Sequence, residues 1–129
     1  SKIEPLPHDL VQSRMANYAA VLLPMGFSRE TSVYSHFNIA TKMAECLGSG
    51  TVTFAVGPES AAMVRYLRNY KLGLVVSNLA KSSFHSALNR LSDPRNRSAL
   101  IEAQTAHVRD YLNLSVTTQR FARASGLLV

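Results

Sequence analysis

The stretch from Thr51 to Asn78, TVTFAVGPESAAMVRYLRNYKLGLVVSN, limits what this chain can fold into more than any other part. Thr51 to Val56 is rich in β-branched residues and carries Phe54, and Gly57-Pro58 then supplies a turn that places Pro58 at the first helical position. In the helix that follows, Ala61, Ala62, Met63, Val64 and Leu67 can cover a sheet. It should fail near Tyr70, because Gly73 begins a second apolar run that ends at Ser77. Strand, helix and strand in this order make a βαβ unit, with parallel strands joined by a right-handed crossover. Both runs are almost wholly apolar rather than alternating, so the strands are covered on two faces. The fold class is α/β: a helix-rich single domain, residues 1–129, around a small parallel sheet built on this one unit.

The flanking segments read as helices. After a short N-terminal arm, residues 1–8, Asp9 caps a helix through Leu22 that places Leu10, Met15, Tyr18, Ala19 and Leu22 at helical spacing, and Pro24 and Gly26 stop it. Ser28 opens a second helix with an apolar stripe of Val33, Phe37, Ala40, Met43, Ala44 and Leu47, ended by Gly48-Ser49-Gly50, so that the two form a hairpin. Asn78 caps a helix through Leu91, with Leu79, Phe84, Ala87, Leu88 and Leu91 on one face. Asp93 before Pro94 reads as a cap and a first-turn proline, opening a helix whose stripe is Leu100, Ile101, Val108, Tyr111 and Leu112. Asn113 to Thr118 interrupts it, and Gln119 to Ala124 makes a last short helix. The apolar end Leu127 to Val129 packs on the body or on a partner, or marks a cut chain. Two strands are too few for a stable sheet, so the later helical half, a strand near Val116 or a partner subunit must complete it; the last predicts a homodimer.

Composition narrows the function classes. With 129 residues, 47% hydrophobic and 17% charged, the chain can bury one core and should fold without a cofactor. Its apolar runs fall far short of the ~20 residues a membrane span needs. The N-terminus, SKIEPLPHDL, has no secretory h-region, and a lone cysteine, Cys46, allows no intrachain disulfide, which fits a reducing compartment. The net charge of +6 favours polyanions over long range, and ten of the fourteen cations are arginine, whose planar fork suits phosphate.

The basic residues carry the best binding signal. Arg65-Tyr-Leu-Arg-Asn-Tyr-Lys71 interleaves Arg65, Arg68 and Lys71 with two aromatic rings, the combination that follows a nucleic-acid backbone while offering stacking surfaces. A solvated helix face explains the same residues. Arg90, Arg95 and Arg97 flank the Asp93-Pro94 turn, which is equally readable as a local salt-bridged turn, and Arg120 and Arg123 form a smaller pair.

Other chemistry finds little purchase. The turns at Gly48 to Thr51 and Phe54 to Ser60 lack the G-x-G-x-x-G and P-loop patterns, and Glu59 would repel phosphate at a helix N-terminus. His8, His36, His85 and His107 lie in separate elements without metal-ligand spacing. Cys46 falls on an apolar stripe and reads as a buried, inert thiol. Asp9, Glu30, Glu59 and Asp93 sit at helix starts, where capping accounts for them. The expectation is therefore a protein that is not an enzyme, with neither cofactor nor metal.

Over most of its length, with SKIEPLPHDL at the start, GTVTFAVGPESAAMVRYLRNYKLGLVVSN in the middle and TTQRFARASGLLV at the end, the chain resembles the small accessory proteins of the inner polymerase complex of cystoviruses, the double-stranded RNA bacteriophages. The resemblance implies a homodimeric α/β core, a disordered C-terminal extension, and an assembly cofactor of the procapsid that supports RNA packaging. Its partners would be viral capsid and polymerase proteins; the basic residues themselves, and not the resemblance, make Arg65, Arg68, Lys71, Arg95 and Arg97 the expected weak, electrostatic contacts to RNA, and the short apolar runs argue against a membrane. It would work in the virion inner capsid and, during assembly, in the bacterial host cytoplasm. No family motif maps onto individual residues. The alternatives are a phosphopeptide- or nucleic-acid-binding regulatory module using the same arginines, and a small enzyme with a dimer-interface pocket at His36 or His107.

Overall fold

A three-stranded parallel sheet in the order β1-β2-β3 lies at the centre of the molecule, with β1 at Ala20–Pro24, β2 at Val52–Val56 and β3 at Leu74–Val76. The structure, a computed structural model, describes residues 5–27 and 40–112. Around the sheet are α1 (His8–Met15), α2 (Ala40–Leu47), α3 (Ala62–Asn69), α4 (Lys81–Ser92) and α5 (Pro94–His107), which runs into a π-helical turn at Val108–Leu112.

The central βαβ unit forms as its sequence demands. All five residues of β2 are buried, because the sheet is covered on both faces. Ala55 joins Met43, Cys46 and Leu47 of α2 and Met63 and Leu67 of α3 in one cluster. Val52, Phe54 and Val56, with Leu74 and Val76, face Ala87 and Phe84 of α4 and Leu100 and Ile101 of α5. The result is three layers, helices on sheet on helices. Each fully buried Leu, Val or Phe stabilises such a core by about 1.5–3 kcal/mol. Both crossover helices lie on the same face, as crossovers of one hand require when strands are added in one direction.

The third strand comes from a segment that helical spacing misassigns. Ala20–Pro24 is not the end of a helix from Asp9; the helix stops at Met15, and the segment pairs in parallel with β2. A short apolar run fits a buried helix turn and a strand equally well, and here the open side of β2 decides. The helical hairpin of the N-terminal half is therefore replaced by α1, β1 and α2. Within the expected first-helix stripe, Leu10, Tyr18 and Leu22 are exposed. Leu22 shares its face with Phe54, yet it stays 59% exposed, whereas Ala20 on the same face packs against the cluster under α4 and α5. The remainder of the expected second helix, 28–39, and the segments expected at 113–129, including the candidate strand near Val116, lie outside the described residues.

Helix starts also depart from expectation. Pro58 is not a first helical residue: Pro58, Glu59 and Ser60 form a turn closed by the Ala61 N–H donating to the Pro58 carbonyl at 2.9 Å, and α3 begins at Ala62 without a side-chain cap. Asn78 stands ahead of the α4 N-cap, Ala80, and its Oδ1 accepts from the Ala80 N–H and the Ser83 hydroxyl. Leu79 and Leu88 are exposed rather than on the buried face. The Asp93-Pro94 start holds, with Asp93 Oδ1 accepting from the Arg95 N–H at 2.9 Å.

One long-range device completes the sheet. β3 is too short to pair with the start of β2, and Gln104 of α5, fully buried, takes its place. Its Oε1 accepts from the Thr53 N–H at 3.0 Å and its Nε2 donates to the Thr51 carbonyl at 2.9 Å, so a side-chain amide stands in for a strand. Gly73 turns toward this spot at φ 63, where any Cβ would collide with the Thr53 carbonyl.

Candidate nucleic-acid interface

Helix α3 sets up the site. Met63, Val64 and Leu67 are buried on the sheet, which leaves Arg65 and Arg68 facing outward at helical spacing. The helix ends in a Schellman turn: the Lys71 N–H donates to the Arg68 carbonyl at 3.2 Å and the Leu72 N–H to the Leu67 carbonyl at 2.8 Å, with Leu72 and Leu67 in one core cluster. The left-handed residue of that turn is normally glycine, but here it is Lys71, at φ 55, the one non-glycine residue at positive φ among the described residues.

Beside this turn two open grooves, of about 340 and 330 Å³, flank β3 and share Arg68 and Val75. The first also has Lys71, Gly73, Leu100 and Arg90 on its walls, so α3, the turn that ends it and α4 contribute one cation each to one channel. The second is lined by Ser77, Asn78, Ser82, Ser83 and Ser86, a row of hydroxyl and amide groups. Arg68 is partly engaged already. Its Nη2 donates to Ser77 Oγ at 2.7 Å and lies 3.0 Å from Glu59 Oε1, which accepts from the Ser77 hydroxyl at 2.5 Å. Glu59 therefore acts as a local counter-charge and not as a helix-start residue.

The five cations singled out from sequence do not form one patch. Arg68 and Lys71 come together, and Arg90 joins them. Arg65 is exposed but outside both grooves, and its Nη1 donates to the Ser60 carbonyl at 3.0 Å. Arg95 is exposed at the α4–α5 elbow, where the half-buried Arg97 uses Nη1 to hold the Leu91 carbonyl at 3.0 Å.

The rings of the basic motif separate from its arginines. Tyr66 of α3 and Tyr70 at its C-cap, four residues apart, pack against His107 and Tyr111 from the end of α5 and the π-helical turn. His107 lies stacked on Tyr111 with centroids 4.9 Å apart and 25° between planes, and Tyr70 sits 4.7 Å from both Tyr66 and His107. The Tyr66 hydroxyl and His107 Nε2 are 2.5 Å apart. His107 is buried, and that desolvation lowers its pKa from the ordinary 6.5, against the opposing pull of Asp110. Asp110 itself pairs with Arg109 at 3.0 Å, which holds the carboxyl below its usual range. Sequence reasoning places Tyr111 in a buried stripe and misses this cluster. Two aromatic pairs at i,i+4 spacing, 66/70 and 107/111, are the available signal.

The other sequence candidates are structural or lie elsewhere. Cys46 is buried in the α2 cluster and its thiol pKa is raised by burial first and by Glu45 second. Among the described residues no three His, Cys, Asp or Glu side chains gather to hold a metal, and no helix is long and apolar enough to cross a membrane. His36 lies outside the described residues. No protein-family model, curated protein or solved structure matches the chain.

Proposed function

We propose that this protein is a non-enzymatic assembly cofactor of a double-stranded RNA phage procapsid, which holds RNA weakly through charge while it engages capsid and polymerase proteins. The observation that carries the reading is the channel beside β3, where Arg68, Lys71 and Arg90 converge on a chain of net charge +6. Such a channel suits the phosphates of a polyanion without reading sequence. The viral setting is taken from the resemblance, over most of the chain, to the cystovirus accessory proteins. Exposed Tyr18, Leu22 and Phe27 around β1, an edge strand, favour a homodimer built on that side and leave the β3 side for RNA.

Light scattering of the purified chain tests the dimer, with a monomer at all concentrations contradicting it. RNA affinity measured across a salt series tests the channel. Affinity should fall steeply with salt for any sequence, and Arg68→Ala with Arg90→Ala should flatten the log–log slope by about 0.7 for each single-strand phosphate that the protein no longer neutralises. Salt-insensitive binding of a phosphorylated peptide, with no RNA binding, would instead favour a regulatory phosphopeptide module.

A further inference from the structure

We infer that Tyr70 and Tyr111 form a stacking platform for an unpaired nucleobase of single-stranded RNA, placed so that the adjoining phosphates enter the Arg68–Lys71–Arg90 channel; the inference rests on the RNA reading above. Tyr70 and Tyr111 are 50% and 45% exposed as residues, and the ring of each also packs against other aromatic groups. Behind them, buried His107 and half-buried Tyr66 form a second layer joined by the 2.5 Å Tyr66–His107 hydrogen bond. Exposed rings held this way lose little freedom when a base arrives, which is what a pre-organised stacking site requires.

Lys71 connects the platform to the channel. It follows Tyr70 directly in the chain and is among the residues that line the groove with Arg68 and Arg90. In this arrangement Lys71, next to Tyr70 in the chain, is the cation of the groove assigned to the phosphate of a base on Tyr70. That charge complementarity selects a nucleic acid over an apolar protein segment, which would leave Lys71 and Arg90 without counter-charge, Arg68 being already paired with Glu59. Bases paired inside a duplex are already stacked and cannot use the rings, so the occupant is single-stranded.

The test uses the full chain and short unstructured oligoribonucleotides carrying 2-aminopurine, together with abasic oligomers of the same length. Tyr70→Leu should lower affinity for the base-bearing oligomer about 5- to 150-fold, the range for removing one base–aromatic stack, and abolish 2-aminopurine quenching. The salt slope should stay that of the unaltered protein. Tyr70→Phe, which keeps the ring, should restore affinity and quenching, and Tyr111→Leu should reproduce the loss. The abasic oligomer should bind the unaltered and Tyr70→Leu proteins equally. If RNA binds with its salt slope intact but neither leucine change weakens it, the platform is wrong while the charge-based reading stands. If the unaltered protein binds no RNA at low salt, both readings fall together. Circular dichroism of each variant separates the loss of a stack from the loss of the fold.

Discussion

Lys71→Gly should move stability and RNA affinity in opposite directions. Lys71 holds φ 55 at the Schellman turn that ends α3, and a left-handed conformation costs an L-residue about 1–2 kcal/mol. Glycine removes that strain but makes the unfolded chain more flexible, which returns about 0.4–1 kcal/mol. The lysine is exposed, so its removal takes no buried packing away. The net expectation is a gain of about 0.5–1 kcal/mol in urea unfolding, or about 2–4 °C in midpoint for a domain of this size. The same change takes one cation from the channel, so RNA affinity should drop and the salt slope should flatten by about 0.7. A variant that is less stable would show that the turn is not strained by its lysine. A variant that binds RNA as before would remove Lys71 from the interface and with it the functional reason for keeping a non-glycine residue there.

Gln104→Ala should cost about 2–4 kcal/mol in denaturant unfolding, because it leaves the buried Thr53 N–H and Thr51 carbonyl without their partner; a loss below about 1 kcal/mol would mean that water replaces the amide. Glu59→Gln should change stability by less than about 1 kcal/mol, since the pair with Arg68 is exposed, yet raise RNA affinity and steepen its salt dependence by releasing Arg68. Unchanged RNA binding in that variant would place Arg68 outside the interface. His107 has a folded pKa below its unfolded value near 6.5, so the unfolded chain binds more protons in the window beneath 6.5. Stability should therefore fall as pH drops from 6.5 toward the lowered value and level off below it. His107→Gln should lack that component, and an identical pH profile in the variant would contradict the assignment.

The centre of the fold is legible in the sequence, and its margins are ambiguous there. Val52–Val56 and Leu74–Val76 stand out because fully covered strands are runs of β-branched and apolar residues bounded by glycine turns. Ala20–Pro24 does not, because a short apolar run following a helix satisfies either period, and only the unpaired side of β2 distinguishes them. Gln104 gives no local sign of its role, which depends on β3 being short and on hydrogen bonds to residues far away in the chain. In the candidate site, Arg68 and Lys71 are readable from helical spacing, whereas Arg90 joins them only through the packing of α4 beside β3. The aromatic residues stand beside the arginines along the chain. Helix geometry then turns Tyr66 and Tyr70 toward His107 and Tyr111, away from the Arg68 flank.

Photocrosslinking with a 4-thiouridine oligoribonucleotide, followed by mass spectrometry of the peptides, tests the RNA channel and its aromatic border most directly. Adducts concentrated on the Tyr66–Gly73 turn and on Tyr111, and suppressed when excess unlabelled single strand or high salt is added, are the predicted result. Adducts confined to the Arg95–Arg97 elbow, or none at low salt, would contradict it.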